Sequence, residues 1–192
     1  MTVPPPHVTL VAAEPELGPA LAAVYRRDRE FLRPFEPTRS DAFFTDGGQT
    51  DRLSRLAADE RAGTGLPRLI SVDGAIEGFI AASSIVRGSF NSANVGYFVG
   101  TAVSGRGVCT AALSLLIDEA FERHGLHRLQ AGTLVDNVAS QRVLTKNGFG
   151  EIGLAPRYLQ IDGAYRDHIL FQLLSDDKRP YSAPSNVSGP AT

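Results

Sequence analysis

Two short stretches place residues where their types and spacing could do chemistry. The first is Ser104-Gly105-Arg106-Gly107-Val108-Cys109-Thr110. Its two glycines let the backbone come close to a ligand. A helix beginning at this point presents free N–H groups with a partial positive charge. Such a turn suits a phosphate or pyrophosphate, and Arg106 could add a charge-assisted contact. A glycine turn that merely starts a helix explains the same residues more simply. The spacing matches neither a Walker A loop nor a dinucleotide-binding fingerprint, which disfavours ordinary nucleotide binding. The second stretch is Asp136-Asn137-Val138-Ala139-Ser140. Either Asp136 or Asn137 could cap a helix that starts there. A cap accounts for one polar residue and leaves Ser140, whose hydroxyl would sit in the first turn and could face a neighbouring cleft.

Both stretches lie at junctions between a strand and a helix. The alternation over His7 to Ala13 predicts a strand. A helix is expected over Glu16 to Leu32, with Leu17, Ala20, Leu21, Val24 and Tyr25 on one face. Pro34 and Pro37 end it, because each disfavours helix in the residue before it. A second helix is expected from Thr50 to Arg61. Leu66 to Val72 and Ala75 to Val86 form a hairpin about Asp73-Gly74, a pair that supplies the positive φ a tight turn needs. A strand covers Ala93 to Gly100. The pattern then becomes helix (Gly107 to Arg123), strand (His127 to Val135) and short helix (Val138 to Asn147, ended by Gly148). Two last strands flank Asp162-Gly163. The order implies an α/β fold whose sheet is antiparallel at first, with one crossover helix in the middle. Phe149, just past a helix end, is expected in the core.

The composition narrows the function. The chain has 192 residues, 43% hydrophobic and 21% charged, which suits one soluble domain, expected over residues 7–175. Residues 1–6 and 176–192, rich in Pro, Ser and Gly, are expected as loosely ordered tails. A formal net charge of −2 and a pI of about 6.1 give no general attraction to nucleic acid or an anionic membrane. One cysteine, Cys109, excludes an intramolecular disulfide, and the four histidines lack ligand spacing, so no metal is expected. The N-terminus lacks the features of a signal peptide and no stretch has the length of a transmembrane helix. A cytoplasmic protein, monomer or homodimer, is expected.

Taken together, four segments resemble the GNAT superfamily, and within it the RimJ/RimL-like N-acetyltransferases. They are Asn94-Val95-Gly96-Tyr97-Phe98-Val99, the Gly105-Arg106-Gly107 turn with its helix, Asn137-Val138-Ala139-Ser140 with Leu144-Thr145-Lys146-Asn147-Gly148-Phe149, and Tyr158 to Leu174 with Asp167-His168. The resemblance covers roughly residues 32–174. It implies a GNAT-like mixed, largely antiparallel twisted sheet flanked by helices. It also implies transfer of an acetyl group from acetyl-CoA to a primary amine, either a protein N-terminus (the favoured acceptor) or a small molecule. The pyrophosphate of CoA would lie on Gly105, Arg106, Gly107, Val108, Cys109 and Thr110. The pantetheine arm would pair with the strand at Tyr97, Phe98 and Val99, and Asn137 would contact the cofactor. Ser140 would lie by the sulfur and stabilise the departing thiolate.

The family's usual turn is Gln/Arg-x-x-Gly-x-Gly/Ala, whereas this chain has Ser104-x-x-Gly107-x-Cys109. These departures are what support the alternative of a non-catalytic CoA-binding regulatory module. Cys109 reads as structural, with no activating base near it in sequence. The segment Leu32 to Asp46, with Phe35, is expected to line the acceptor side. No general base is assigned: His168 is favoured as a structural histidine, and Glu36, Glu77 and Asp167 are left as open alternatives.

Overall fold

A computed structural model describes residues 5–183. The chain forms strands β1 (Val8–Ala12), β2 (Leu66–Val72), β3 (Ala75–Val86), β4 (Ser92–Val99), β5 (Arg128–Leu134), β6 (Gly150–Ile161) and β7 (Ala164–Leu174). These make one seven-stranded sheet in the order β1-β2-β3-β4-β5-β7-β6. Every neighbouring pair is antiparallel except β4 and β5, which are joined by a helical crossover. The mixed, mostly antiparallel sheet is the one expected.

The parallel pair is also where the sheet comes apart. Pairing between β4 and β5 is confined to Ser92–Asn94 against Arg128–Gln130. Beyond it β4 runs on to Val99 and β5 to Leu134 without meeting. Val95 to Val99 still pair with β3 on their other edge. Half the backbone groups of this stretch therefore face a gap, and strand edges of that kind accept an extended ligand.

The helices are α1 (Gly18–Arg27), α2 (Arg29–Leu32), α3 (Asp46–Arg61), α4 (Val108–Asp118) and α5 (Val138–Lys146). They cover both faces of the sheet and define two cores. One is built from α4 and α5 on Ile80, Ala93, Val95, Leu129, Ala131 and Leu173. The other is built from α1 and α3 on Leu69, Phe79 and Ala81. Phe149 is 4% exposed in the first core. Phe149→Ala should therefore cost about 3–5 kcal/mol in chemical denaturation. A variant as stable as the parent would contradict this. Among the described residues no helix is long and apolar enough to cross a membrane.

Three boundaries differ from the sequence reading, each for a local reason. The expected helix from Glu16 to Leu32 is broken at Asp28 (φ −109°), whose buried carboxylate turns away to bond elsewhere in the fold. The second helix starts at Asp46 rather than Thr50, because the Thr45 hydroxyl caps it by accepting from the Gly48 amide at 3.0 Å. The crossover helix ends as α at Asp118 and continues as a π turn over Glu119–Arg123. Of the segments expected as tails, residues 1–4 and 184–192 lie outside the described residues. Residues 176–183 run along α4: Arg179 pairs with Asp118, and the Ala183 amide donates to Ser114 Oγ at 3.0 Å.

Candidate active site

The site begins with the turn into α4. Gly105 and Gly107 have φ of 75° and 81°, a region L side chains rarely adopt. Gly107 is the residue just ahead of α4, and the first helical bond there is from the Ala111 amide to its carbonyl at 3.1 Å. The amides of Val108, Cys109 and Thr110 precede that bond and have no acceptor within the helix. These three residues line a cleft of about 410 Å³ together with Ser104, Gly105 and Gly107.

A buried carboxylate fixes the turn. Asp28 Oδ1 accepts from the Thr101 hydroxyl at 2.6 Å, and Oδ2 accepts from the Thr101 amide at 3.1 Å. Arg27 bridges Asp28 and Glu77, both at 2.7 Å. Burial alone would raise the Asp28 carboxyl, but the bonds from Arg27 and Thr101 outweigh it and hold it below the usual carboxylate range. A Cβ at Gly100 would run into both the Arg27 and Asp28 side chains, so a larger residue here would have to displace this cluster. This cluster ties the end of β4 to the break between α1 and α2. The Arg27–Asp28–Thr101 arrangement is invisible in sequence because Thr101 lies 73 residues beyond Asp28.

Along the cleft the gap between β4 and β5 leads to α5. Asn137 caps that helix, its Oδ1 accepting from the Ser140 amide at 3.1 Å. The Ser140 hydroxyl does not bond back into its own helix. It lies 3.0 Å from Tyr97 Oη, which is also 3.3 Å from the Ser140 carbonyl. Burial pushes the Tyr97 phenol far above its usual range, so this hydroxyl stays protonated. Two neutral O–H groups, one bonded to the other, thus sit at the gap.

All the sequence-selected residues converge here except one. Phe98, Val99, Gly105, Gly107, Val108, Cys109, Thr110, Asn137 and Ser140 line the same cleft. Arg106 is exposed and does not line it. Cations do come from α5, where Arg142 and Lys146 reach the cleft. Ala139, Arg142, Val143 and Lys146 follow the spacing of a single helix face, which is the signal that would have found them. Burial pushes the Cys109 thiol up to about 12, so it is protonated at neutral pH and is no nucleophile.

A second cavity of about 410 Å³ meets the first at Phe35, Tyr97, Phe98, Asn137 and Ser140. Of the open alternatives for a base, it brings in Glu36 but neither Glu77 nor Asp167, and it also holds His168, the histidine expected to be structural. Glu77 is held by Arg27, and Asp167 accepts from the Arg157 amide at 2.7 Å. His168 is 4% exposed, with Nδ1 2.9 Å from the Arg166 carbonyl. Among the described residues no cluster of three metal-ligating side chains occurs.

A sheet split at its one parallel pair, a phosphate-ready helix start and a hydroxyl pair at the split define the class of N-acetyltransferases that draw on acetyl-CoA. The comparisons agree: the acetyltransferase (GNAT) domain family matches residues 7–150, and the chain belongs to that family. It is similar to the probable N-acetyltransferase YjcK of Bacillus subtilis (strain 168), 34% identical over 86% of this chain and 90% of that one. It is 33% identical to the [ribosomal protein uS5]-alanine N-acetyltransferase of Escherichia coli (strain K12), over 83% of this chain and 84% of that one. Among solved structures, Mycobacterium smegmatis RimJ in complex with CoA-disulfide superposes with a TM-score of 0.81 at 31% identity, covering 88% of this chain and 85% of that one.

Proposed function

We propose that this N-acetyltransferase acetylates the α-amine of a protein N-terminus, with acetyl-CoA laid along the gap between β4 and β5. The observation that carries the reading is the meeting of two cavities at the gap. One holds the phosphate-ready turn, the other holds Glu36 and His168, and they share Tyr97 and Ser140. The likeness to the uS5-alanine enzyme supports a protein N-terminus as acceptor, and such a substrate implies the cytoplasm.

The residues fit these ligands. The amides of Val108 to Thr110, with Arg142 and Lys146, suit a pyrophosphate. The unpaired edge of β4 at Tyr97 to Val99 suits the amides of the pantetheine arm. The attacking amine must be neutral, and the departing thiolate must gain a proton. The Tyr97–Ser140 pair supplies an O–H at the sulfur end.

The test is turnover on three acceptors: peptides with a free N-terminus, the same peptides N-terminally blocked but carrying a lysine, and small amines. Turnover is expected on the first alone. Turnover on small amines alone would overturn the protein acceptor. Acetyl-CoA binding without turnover of any amine would favour the non-catalytic module.

A further inference from the structure

Resting on the acetyl-transfer reading, we propose that Glu36 receives the acceptor's ammonium at the gap between β4 and β5 and removes its first proton. The argument starts from the two faces of the split sheet. Along β4, Val95 and Tyr97 pack toward α4 and α5, whereas Phe98 packs with α1 and α3. Strand alternation therefore turns Gly96 to the α1/α3 face. On β5, Ala131 faces the α4/α5 core, so Gly132 also turns to the α1/α3 face. A Cβ on Gly96 would meet open space, and one on Gly132 would touch Leu170, Tyr158 and His168 at 3.4, 3.5 and 3.6 Å. Two exposed glycines thus flank the gap on the face opposite Ser140's helix, leaving a window through which an amine can approach a thioester.

Glu36 is the one carboxylate among the described residues lining the cavity at that window. It sits where the chain leaves a short helical turn at Arg33–Phe35, held in place by a bond from the Asp162 amide to its carbonyl at 3.0 Å. An amine arrives as a cation, and a carboxylate both attracts it and can take its proton. Burial raises the Glu36 carboxyl, against the lowering influence of Arg39, Arg52 and a bond from Tyr25. Arg29, Arg33 and Asp162 line a neighbouring cavity with Glu36, and Tyr97, Arg39, Arg52 and His168 line with it the cavity at the window. A carboxylate made more basic by burial is suited to this transfer.

The protons balance. The ammonium gives one proton to Glu36, and the freed amine forms the N–C bond to the acetyl carbonyl. As the C–S bond breaks, the thiolate takes a proton through the Tyr97–Ser140 pair. The nitrogen's second proton replaces the one that pair gave up, and Glu36 then returns its proton to solvent.

The experiment is the pH dependence of kcat/KM for a peptide acceptor in the parent, Glu36→Gln and His168→Asn, with thermal melting and acetyl-CoA affinity of each. In the parent, kcat/KM should fall on the acid side at a pH above the ordinary carboxylate range. Glu36→Gln should lose that limb and fall by about a hundred- to ten-thousandfold, with acetyl-CoA affinity and melting unchanged. A peptide whose α-ammonium is more acidic should lose less. Retention of the limb in a folded Glu36→Gln, or its disappearance in His168→Asn alone, would overturn the assignment. Absence of turnover in the parent would instead strike the acetyl-transfer reading. If Glu36→Gln fails to fold, Glu36→Asp, which keeps the carboxylate on a shorter arm, should keep the limb with reduced kcat.

Discussion

Gly107→Asp should weaken acetyl-CoA binding by about ten- to a thousandfold, with a loss of stability no larger than that of Gly107→Asn. The two effects separate because of where the residue sits. Its φ of 81° is one that Asp and Asn tolerate better than other side chains, and a Cβ there would meet nothing within 4 Å. It also directly precedes α4, where a carboxylate favours the helix through its dipole and free amides. What stabilises the helix competes with the ligand, since the same amides of Val108, Cys109 and Thr110 are the ones offered to the pyrophosphate. A like charge about 4 Å from a phosphate costs about 1–4 kcal/mol at effective dielectrics between water and a protein surface. Gly107→Asn is the control, with the same shape and no charge. Calorimetry should find Gly107→Asn within a few fold of the parent and Gly107→Asp much weaker. If both bind CoA as the parent does, the pyrophosphate does not lie on this turn. If both are equally weak, bulk rather than charge excludes it.

How much of this was legible in the sequence depends on the range over which each signal acts. The glycine turn, the Asn137 cap and both Asp-Gly hairpins are local chemistry, and each sits where composition and spacing placed it. The split between β4 and β5 has no local signature, because both strands alternate normally and only their pairing stops. Asp28 reads as one more helical residue until Thr101, far along the chain, is seen bonded to it. Arg106 neighbours the turn, yet a residue with free φ on either side takes its side-chain direction from context, and Arg106 is exposed and lies outside the cleft. The cations that do reach the cleft, Arg142 and Lys146, belong to a helix read only for its cap and its serine. Glu36 and His168 could be ranked only once the two faces of the sheet were distinguished, and strand alternation does that only after the neighbours are known.

Ser140→Ala should lower kcat by about ten- to a thousandfold with acetyl-CoA affinity little changed, the lower part of the range for donors that act mainly in the transition state. Alone, the serine could have been bonding to its own helix, which predicts a small stability loss and normal turnover. The structure places its hydroxyl 3.0 Å from Tyr97 Oη instead, at the point where the two cavities join. That contact makes a second variant informative. Tyr97 stays protonated because burial disfavours the phenolate, so it can donate to Ser140 Oγ and leave the serine proton free for the thiolate. If the pair acts in that order, Tyr97→Phe should cost less than Ser140→Ala. The double variant should then be little worse than Ser140→Ala alone, because groups acting in series do not add. The measurement is single-turnover kcat for both single variants and the double, with CoA affinity determined on the same preparations. A Tyr97→Phe loss larger than that of Ser140→Ala would reverse the order and make the phenol the donor at sulfur. Unchanged turnover in both single variants, with chemistry rate-limiting, would remove the pair from the mechanism and leave solvent to protonate the thiolate.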